Sequence, residues 1–199
     1  MNTLFFNIVS HKTLIAVISN DKVLALKEGD ERISDDKVIP EVKKVLDDAE
    51  IDFPNLNKVA CIIGPGGFTS LRIAVAFVNT LCDQLGIPSA PVHLSDFVLS
   101  QASDSPEIWI HSTKKDLLFI KGNKWKEPTL ISLEDLKSFL SSSDSSIWTG
   151  ELIDDHISIF EEFGWKQAGQ KSVNDFLSSF VSNLKYDDQL LLPWYGREG

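Results

Sequence analysis

The chain is poor in the residue types that carry most protein chemistry. Its 199 residues include 2 cysteines, 1 methionine, 2 tyrosines and 4 histidines. Two cysteines exclude a disulfide framework or a cysteine-rich zinc module. Cys61, inside an apolar run, and Cys82, on a helical pattern, read as small buried apolar residues rather than a disulfide or metal pair. His11, His93, His111 and His156 are scattered, so no two share a helix as metal ligands do, and each reads as structural or exposed. No apolar run approaches the about 20 residues of a membrane-spanning helix. Met1 to Phe6 has neither the basic region nor the cleavage site of a signal peptide, which predicts a cytoplasmic protein without membrane contact. Positive charge is scarce as well: 19 Lys and Arg against 29 Asp and Glu leave a net charge of −10, and phosphate backbones repel such a surface. The one basic cluster, Lys114, Lys115, Lys121, Lys124 and Lys126, flanks an alternating run at Leu117 to Lys121 and reads as the solvated rim of a hairpin.

Apolar residues are plentiful, at 43% of the chain, enough to bury one large core or two lobes. Leu4–Ile8, Thr13–Ile18 and Val23–Leu26 are β-rich and separated by Ser10-His11-Lys12 and Asn20-Asp21, which predicts an antiparallel meander. A helix from about Ser34 to Ala49 follows, with Val38, Val42, Val45 and Ala49 as its core stripe. Then come a buried strand at Val59–Ile63 and a helix at Thr69–Leu85. A second set of elements begins near Ala90: strands at Glu107–Ile110 and Leu117–Lys121, helices near Leu133–Leu140 and Val173–Leu184, and a strand at Ile147-Trp148 between them. The serine-rich stretch 141–146 reads as a loop, and no internal sequence repeat is visible.

Catalytic constellations are missing. Asp35-Asp36, Asp47-Asp48, Asp154-Asp155, Glu161-Glu162 and Asp187-Asp188 sit at predicted helix ends or in loops, where solvation and the helix dipole account for them. Ser10-His11 and His111-Ser112 are sequence neighbours, which does not supply the geometry of a nucleophile and its base.

The unusual segment is Gly64-Pro65-Gly66-Gly67-Phe68-Thr69-Ser70-Leu71-Arg72-Ile73, between the buried strand and the helix. Glycines there permit a sharp turn with exposed N–H groups at a helix start, a geometry that suits an anion. The lysine of a phosphate-binding loop and the spacing of a dinucleotide fingerprint are both absent, so a tight structural turn explains the segment equally well. In that reading Gly66 and Gly67 supply unusual backbone angles, Pro65 stiffens the turn, Phe68 packs beneath it and Thr69 caps the helix. Arg72 lies in the first helical turn, where the dipole disfavours a cation, and so requires a carboxylate or carbonyl partner in its own chain, in another subunit or in a ligand.

Gly-Pro-Gly-x-Phe-Thr-x-Leu-Arg-Ile after a strand, followed by a small-residue helix and Gly86-Ile87-Pro88, resembles the TsaB (YeaZ) family, whose members partner the TsaD threonylcarbamoyl transferase in bacterial tRNA modification. Gly64, Pro65, Gly66, Phe68, Thr69, Leu71 and Arg72 match the family loop, while Gly67 and Ser70 depart from it. Ser34–Ala49 with Pro40, Val92–Phe97, Trp148-Thr149-Gly150 and the tail Pro193-Trp194-Tyr195-Gly196-Arg197 match further family segments in the right order. The resemblance implies an α/β, actin/Hsp70-like (ASKHA) duplicated fold of two lobes with mixed sheets flanked by helices: 1–95 with the loop and interface helices, and 96–199, with a tail that can return to the first lobe. It also implies a non-catalytic subunit that binds and stabilises a TsaD-type enzyme for threonylcarbamoylation of tRNA. A TsaE-type ATPase would join through the complex, with a homodimer as a further possibility and no tRNA binding by the chain alone. Leu71, Val75, Val78, Cys82 and Leu85 form one apolar stripe, and the further apolar surface beside it needs a second neighbour, in the chain's own fold or in a partner; the resemblance implies a partner interface, here at Thr69, Ile73, Ala76, Phe77 and Thr80. Where the superfamily's first hairpin carries a metal-holding aspartate, this chain reads Phe6-Asn7-Ile8-Val9-Ser10-His11, so no cofactor, metal or catalytic residue is expected. The alternatives are an active small-molecule kinase or carbamoyl transferase of the same fold, and a peptidase-like protein.

Overall fold

A computed structural model describes residues 1–30, 32–144 and 146–196. The chain forms two compact units, Met1–Leu94 with the described residues from Val173 onward, and Ser95–Ser172. The segment from Val173, read from sequence as part of a second lobe, thus groups with the first unit.

In the first unit β1 (Asn2–Asn7), β2 (Thr13–Ser19) and β3 (Lys22–Gly29) make the antiparallel meander. The two-residue turn Asn20-Asp21 joins β2 to β3 with both residues at positive φ, a conformation that Asn and Asp tolerate. After a 3-10 turn at Asp35–Lys37, α1 (Val38–Asp48) buries Val38, Val42, Val45 and Leu46. The helix starts four residues later than the pattern predicts. Pro40 then falls in its first turn, where a missing N–H costs nothing. β4 (Lys58–Gly64) runs parallel to β1, α2 (Phe68–Leu85) follows, and β5 (Ser89–His93) runs parallel to β4. The sheet order is β3-β2-β1-β4-β5. β1 and β4 are buried almost throughout, as strands covered on both faces must be. Alternation along β1 sends Phe5 towards Phe180, with ring centroids 6.4 Å apart, and Phe6 towards Phe77 of α2 at 5.1 Å.

The second unit holds α3 (Leu94–Gln101, whose first residue belongs to the first unit), β6 (Ile108–Lys114), β7 (Leu117–Gly122), β8 (Thr129–Ser132), α4 (Leu133–Ser142), β9 (Ile147–Glu151), α5 (Asp154–Glu162) and β10 (Lys166–Gln167). Its sheet order is β10-β9-β6-β7-β8. Read from the other edge, this is the pattern of the first unit: an antiparallel meander followed by two parallel strands. The fold is therefore a duplicated α/β architecture of two mixed five-stranded sheets with helices, as the actin/Hsp70-like expectation required. The duplication is one of topology, which is why no sequence repeat announces it. Ile108, Ile110, Leu118, Ile120 and Trp148 line one face of the sheet and pack with Leu136 and Leu140 of α4 and Phe160 of α5. α4 begins where Ser132 accepts the Asp135 N–H at 3.0 Å, with Glu134 and Asp135 at the positive end of its dipole. The basic cluster flanks the β6–β7 hairpin and its exit, with Lys114, Lys115, Lys124 and Lys126 exposed and Lys121 paired with Asp96. α6 (Val173–Ser182) belongs to the first unit and buries Val173, Phe176, Leu177 and Val181. No described helix is long and apolar enough to cross a membrane.

Both thiols follow from this packing. Cys61 on β4 is fully buried, and burial pushes its thiol well above the ordinary range; the half-buried Cys82 is pushed up to about 11 by the same desolvation. The thiolate is the reactive form, so its fraction at Cys82 should rise about tenfold per pH unit up to that value. Alkylation of the native protein at pH 7.5 should leave Cys61 unmodified and label Cys82 slowly, faster as pH rises. Both should label at once in guanidinium, as mass spectrometry would report.

Candidate functional site

The glycine-rich loop, the first hairpin turn and the C-terminal tail meet at the start of α2. Asn7 ends β1 with its side chain buried, and each of its polar atoms is engaged. Its Oδ1 accepts the backbone N–H groups of Val9 at 3.1 Å and Ser10 at 3.3 Å, and its Nδ2 donates to Ser10 Oγ at 2.9 Å and to the Lys12 carbonyl at 3.1 Å. Ser10 Oγ donates to the same carbonyl at 2.7 Å. An amide closes this turn through two donors and one acceptor, a pattern that a carboxylate in its place cannot reproduce because it lacks the donors.

The loop packs directly on this turn. Gly67 donates its N–H to the Val9 carbonyl at 3.2 Å, and a Cβ at Gly66 would collide with that carbonyl oxygen. Gly66 is required by the closeness of two backbones rather than by its angles. The residue held at positive φ is Gly64, at 136°, where a Cβ would strike the Trp194 carbonyl oxygen. The Gly64–Pro65 peptide bond is cis. Helix α2 opens at Phe68, with Gly67 as its N-cap residue and no side-chain cap, so Thr69 stands exposed in the first turn instead of capping it.

Phe68 is exposed rather than packed beneath the loop. Its ring lies 5.1 Å from that of Tyr195 and 4.0 Å beneath the Arg72 guanidinium. Arg72 Nε donates to the Tyr195 hydroxyl at 3.3 Å. A ring face and a hydroxyl therefore take the place of the carboxylate or carbonyl predicted for Arg72. The tail is threaded along α2: Trp194 N–H donates to the Ile63 carbonyl at 2.8 Å, and its ring meets His93 edge-on at 5.2 Å. Asn79 pairs with the Leu191 backbone in both directions, at 2.9 and 3.0 Å, as a strand would. Arg197 of the tail motif lies outside the described residues.

Leu71, Ala74, Val75 and Val78 form the buried stripe of α2, with Cys82 and Leu85 only partly covered. Of the five interface positions read from sequence, Thr69, Ala76 and Thr80 are exposed along one face with Arg72, whereas Ile73 and Phe77 are half-buried at its margin. The Phe77 ring is committed in part to Phe6.

In the second unit Ser112 pairs with His156, not with its neighbour His111. The Lys115 carbonyl can only accept, so His156 Nε2, 2.9 Å away, carries the proton. His156 Nδ1 then accepts from Ser112 Oγ at 2.8 Å, while Ser112 Oγ accepts the Ile153 N–H at 3.1 Å. Each group is consumed in tying the β6–β7 turn to the start of α5. His111 is buried too, stacked on Trp109 at 6.0 Å and 3.5 Å from Glu151. Sequence reading missed the serine–histidine pair because its members lie 44 residues apart.

A family model described as "TsaD: tRNA N6-adenosine threonylcarbamoyltransferase" matches residues 31–120. The chain is 27% identical over 150 residues to the tRNA threonylcarbamoyladenosine biosynthesis protein TsaB of Buchnera aphidicola subsp. Schizaphis graminum (strain Sg), covering 73% of this chain and 63% of that protein. It is 25% identical over 142 residues to the protein of the same name from Buchnera aphidicola subsp. Acyrthosiphon pisum (strain APS), covering 69% and 56%. The chain thus spans less than two thirds of the length of these relatives. Among solved structures, an uncharacterized Pseudomonas aeruginosa protein with similarity to peptidase YEAZ superposes with a TM-score of 0.70 at 17% identity, covering 98% of this chain and 99% of that one. YeaZ from Pseudomonas aeruginosa gives 0.51 at 19% identity over 66% of each chain.

Two measurements check this geometry. Gly66→Val should lower the melting temperature by roughly 5–10 °C, because the Val9 carbonyl must move, whereas Arg72→Ala should shift it by no more than about 2 °C. Nitrogen NMR of His156 should report the Nε2–H tautomer, kept by the Lys115 carbonyl in Ser112→Ala, where the Nδ1 resonance alone should move as its hydroxyl donor is lost.

Proposed function

Because the chain belongs to the TsaB (YeaZ) family, we propose that it is a non-catalytic subunit of tRNA threonylcarbamoyladenosine biosynthesis that binds and stabilises a TsaD-type enzyme in the cytoplasm. A TsaE-type ATPase is reached through that complex. The observation that carries the reading is the outer face of α2, where Thr69, Ala76 and Thr80 leave a shallow surface of small side chains between exposed Arg72 on one side and Ile73 and Phe77 on the other. Small residues let a second helix approach closely, and the half-buried Ile73 and Phe77 offer apolar area that association would finish covering. Burial there favours whichever partner conformation presents a matching face, which is how a subunit without chemistry raises the activity of another. The engaged Asn7 turn and the Gly67 N–H bonded to Val9 support a structural loop rather than a nucleotide cradle. The net charge of −10 supports RNA recognition by the partner.

Co-purification with the TsaD-type protein of the same genome tests the proposal. Ala76→Glu sets an unpaired charge at the centre of the face and, being exposed, should leave the melting temperature within about 2 °C while weakening association by about two orders of magnitude. Phe77→Asp is the poorer probe, since it also disturbs Phe6. The enzymatic alternative predicts micromolar binding of ATP with Mg²⁺ and turnover by the isolated chain. Calorimetry should find neither.

A further inference from the structure

The tail carries an open backbone edge. At Asp187 the N–H and C=O both pair with Ser89 of β5, at 3.0 and 2.9 Å, as in an antiparallel bridge, and at Leu191 both pair with the Asn79 side chain of α2. The Gln189 N–H between them is taken up by the Asp187 carboxylate at 2.9 Å. An extended chain turns the N–H and C=O of successive residues to opposite edges, so those of Asp188, Leu190 and Leu192 face away from β5 and α2. These groups have no hydrogen-bond partner among the described residues. The side chains alternate in the same way. Leu191 is 4% exposed, whereas Leu190 and Leu192 are 71% and 76% exposed, the two highest values among the described large apolar residues. A single exposed leucine needs no explanation, but two on one face of an unpaired edge form a patch. Strand edges are ordinarily blunted by lysine or proline. The outer strand β3 has Lys22 and Lys27, and residues 188–192 have neither residue type.

The chemistry of the edge selects what covers it. A helix could cover the two leucines but would leave the backbone donors and acceptors unmatched, whereas an extended segment satisfies both at once. Asp188 lies on the same edge, exposed and without an ion-pair partner among the described residues, and so favours a cation opposite it. We propose that residues 188–192 receive an extended segment of another protein chain as one added antiparallel strand, with apolar side chains opposite Leu190 and Leu192 and a basic side chain opposite Asp188. Antiparallel addition exchanges both hydrogen bonds at each outward residue. This surface rests on the tail alone and is independent of the α2 face proposed above.

The probe is the peptide Ac-Thr-Val-Thr-Val-Thr-Lys-Thr-NH2, whose valines and lysine fall opposite Leu192, Leu190 and Asp188 in that register. It is added to the full chain at low salt and followed by amide NMR. Saturable shifts and slower hydrogen exchange are expected at the amides of Asp188, Leu190 and Leu192, with a dissociation constant of about 1 mM, as befits one short strand. The same peptide with both valines N-methylated loses two backbone donors and should give no saturable shift. Glutamate in place of its lysine sets like charges opposite each other and should weaken binding at least about threefold. Leu190→Ser with Leu192→Ser, both at exposed positions, should leave the melting temperature within about 2 °C and weaken binding at least about fivefold. The proposal is overturned if the peptide gives no saturable shift at these amides, or if the N-methylated peptide, the glutamate peptide or the double variant binds equally well. It is overturned too if sedimentation velocity finds the chain dimeric and the double variant monomeric, because a second copy then occupies the edge.

Discussion

Two backbone-on-backbone contacts hold the first unit to its geometry. At Gly66 the loop lies so close to the Val9 carbonyl, and at Gly64 so close to that of Trp194, that neither position has room for a Cβ. Between them these contacts tie the first hairpin, the exit of β4 and the tail to the start of α2. Side chains elsewhere in the unit can repack by a few tenths of an ångström. A carbonyl cannot, because its position is set by the hydrogen bonds of the strand or turn behind it. The direction in which α2 leaves the sheet, and so the face it presents outward, follows from this fixed start.

Electrostatics act on top of that frame. The Arg72 cation stands at the positive end of α2 and the Asp83 carboxylate at its negative end, each where the helix dipole disfavours it. Arg72 is compensated within the chain by the Phe68 ring and the Tyr195 hydroxyl, whereas among the described residues the Asp83 carboxylate accepts only from Gln84. Local charge misplacement of this kind is tolerated where some other interaction offsets it.

Much of the architecture was legible in sequence. β1, β2, β4, β6 and β7 are β-branched or aromatic runs bounded by turn residues, and α2 and α6 show clear helical periods. β5 was harder to see because Ser89-Ala90-Pro91-Val92-His93 carries a proline and polar ends, and it is a strand only because β4 lies beside it. α5 was hidden by the buried His156, which breaks the apolar period yet is satisfied by Ser112 and the Lys115 carbonyl, neither close in sequence. At the loop, the glycine motif announced a tight turn correctly, but which glycine needs positive φ and which needs empty space depends on Val9 and Trp194, far along the chain. The places of Phe68 and Arg72 went unread for the same reason: their partner is Tyr195, 123 residues beyond Arg72.

The two sheets share a strand order, and they share a second device. In each, the turn after the first strand ends in a lysine carbonyl held by a buried side chain: Lys12 by Asn7 and Ser10, Lys115 by His156. The residues differ, but both turns are pinned from inside. Loops at the ends of open sheets ordinarily belong to the least stable part of a domain and fray independently of it. Here the amides of Val9 and Ser10 in one turn, and of Ile153 opposite the other, donate to oxygens inside the fold. Their exchange with solvent hydrogen then requires the opening of each hairpin as a whole, so that each turn shares the lifetime of its sheet.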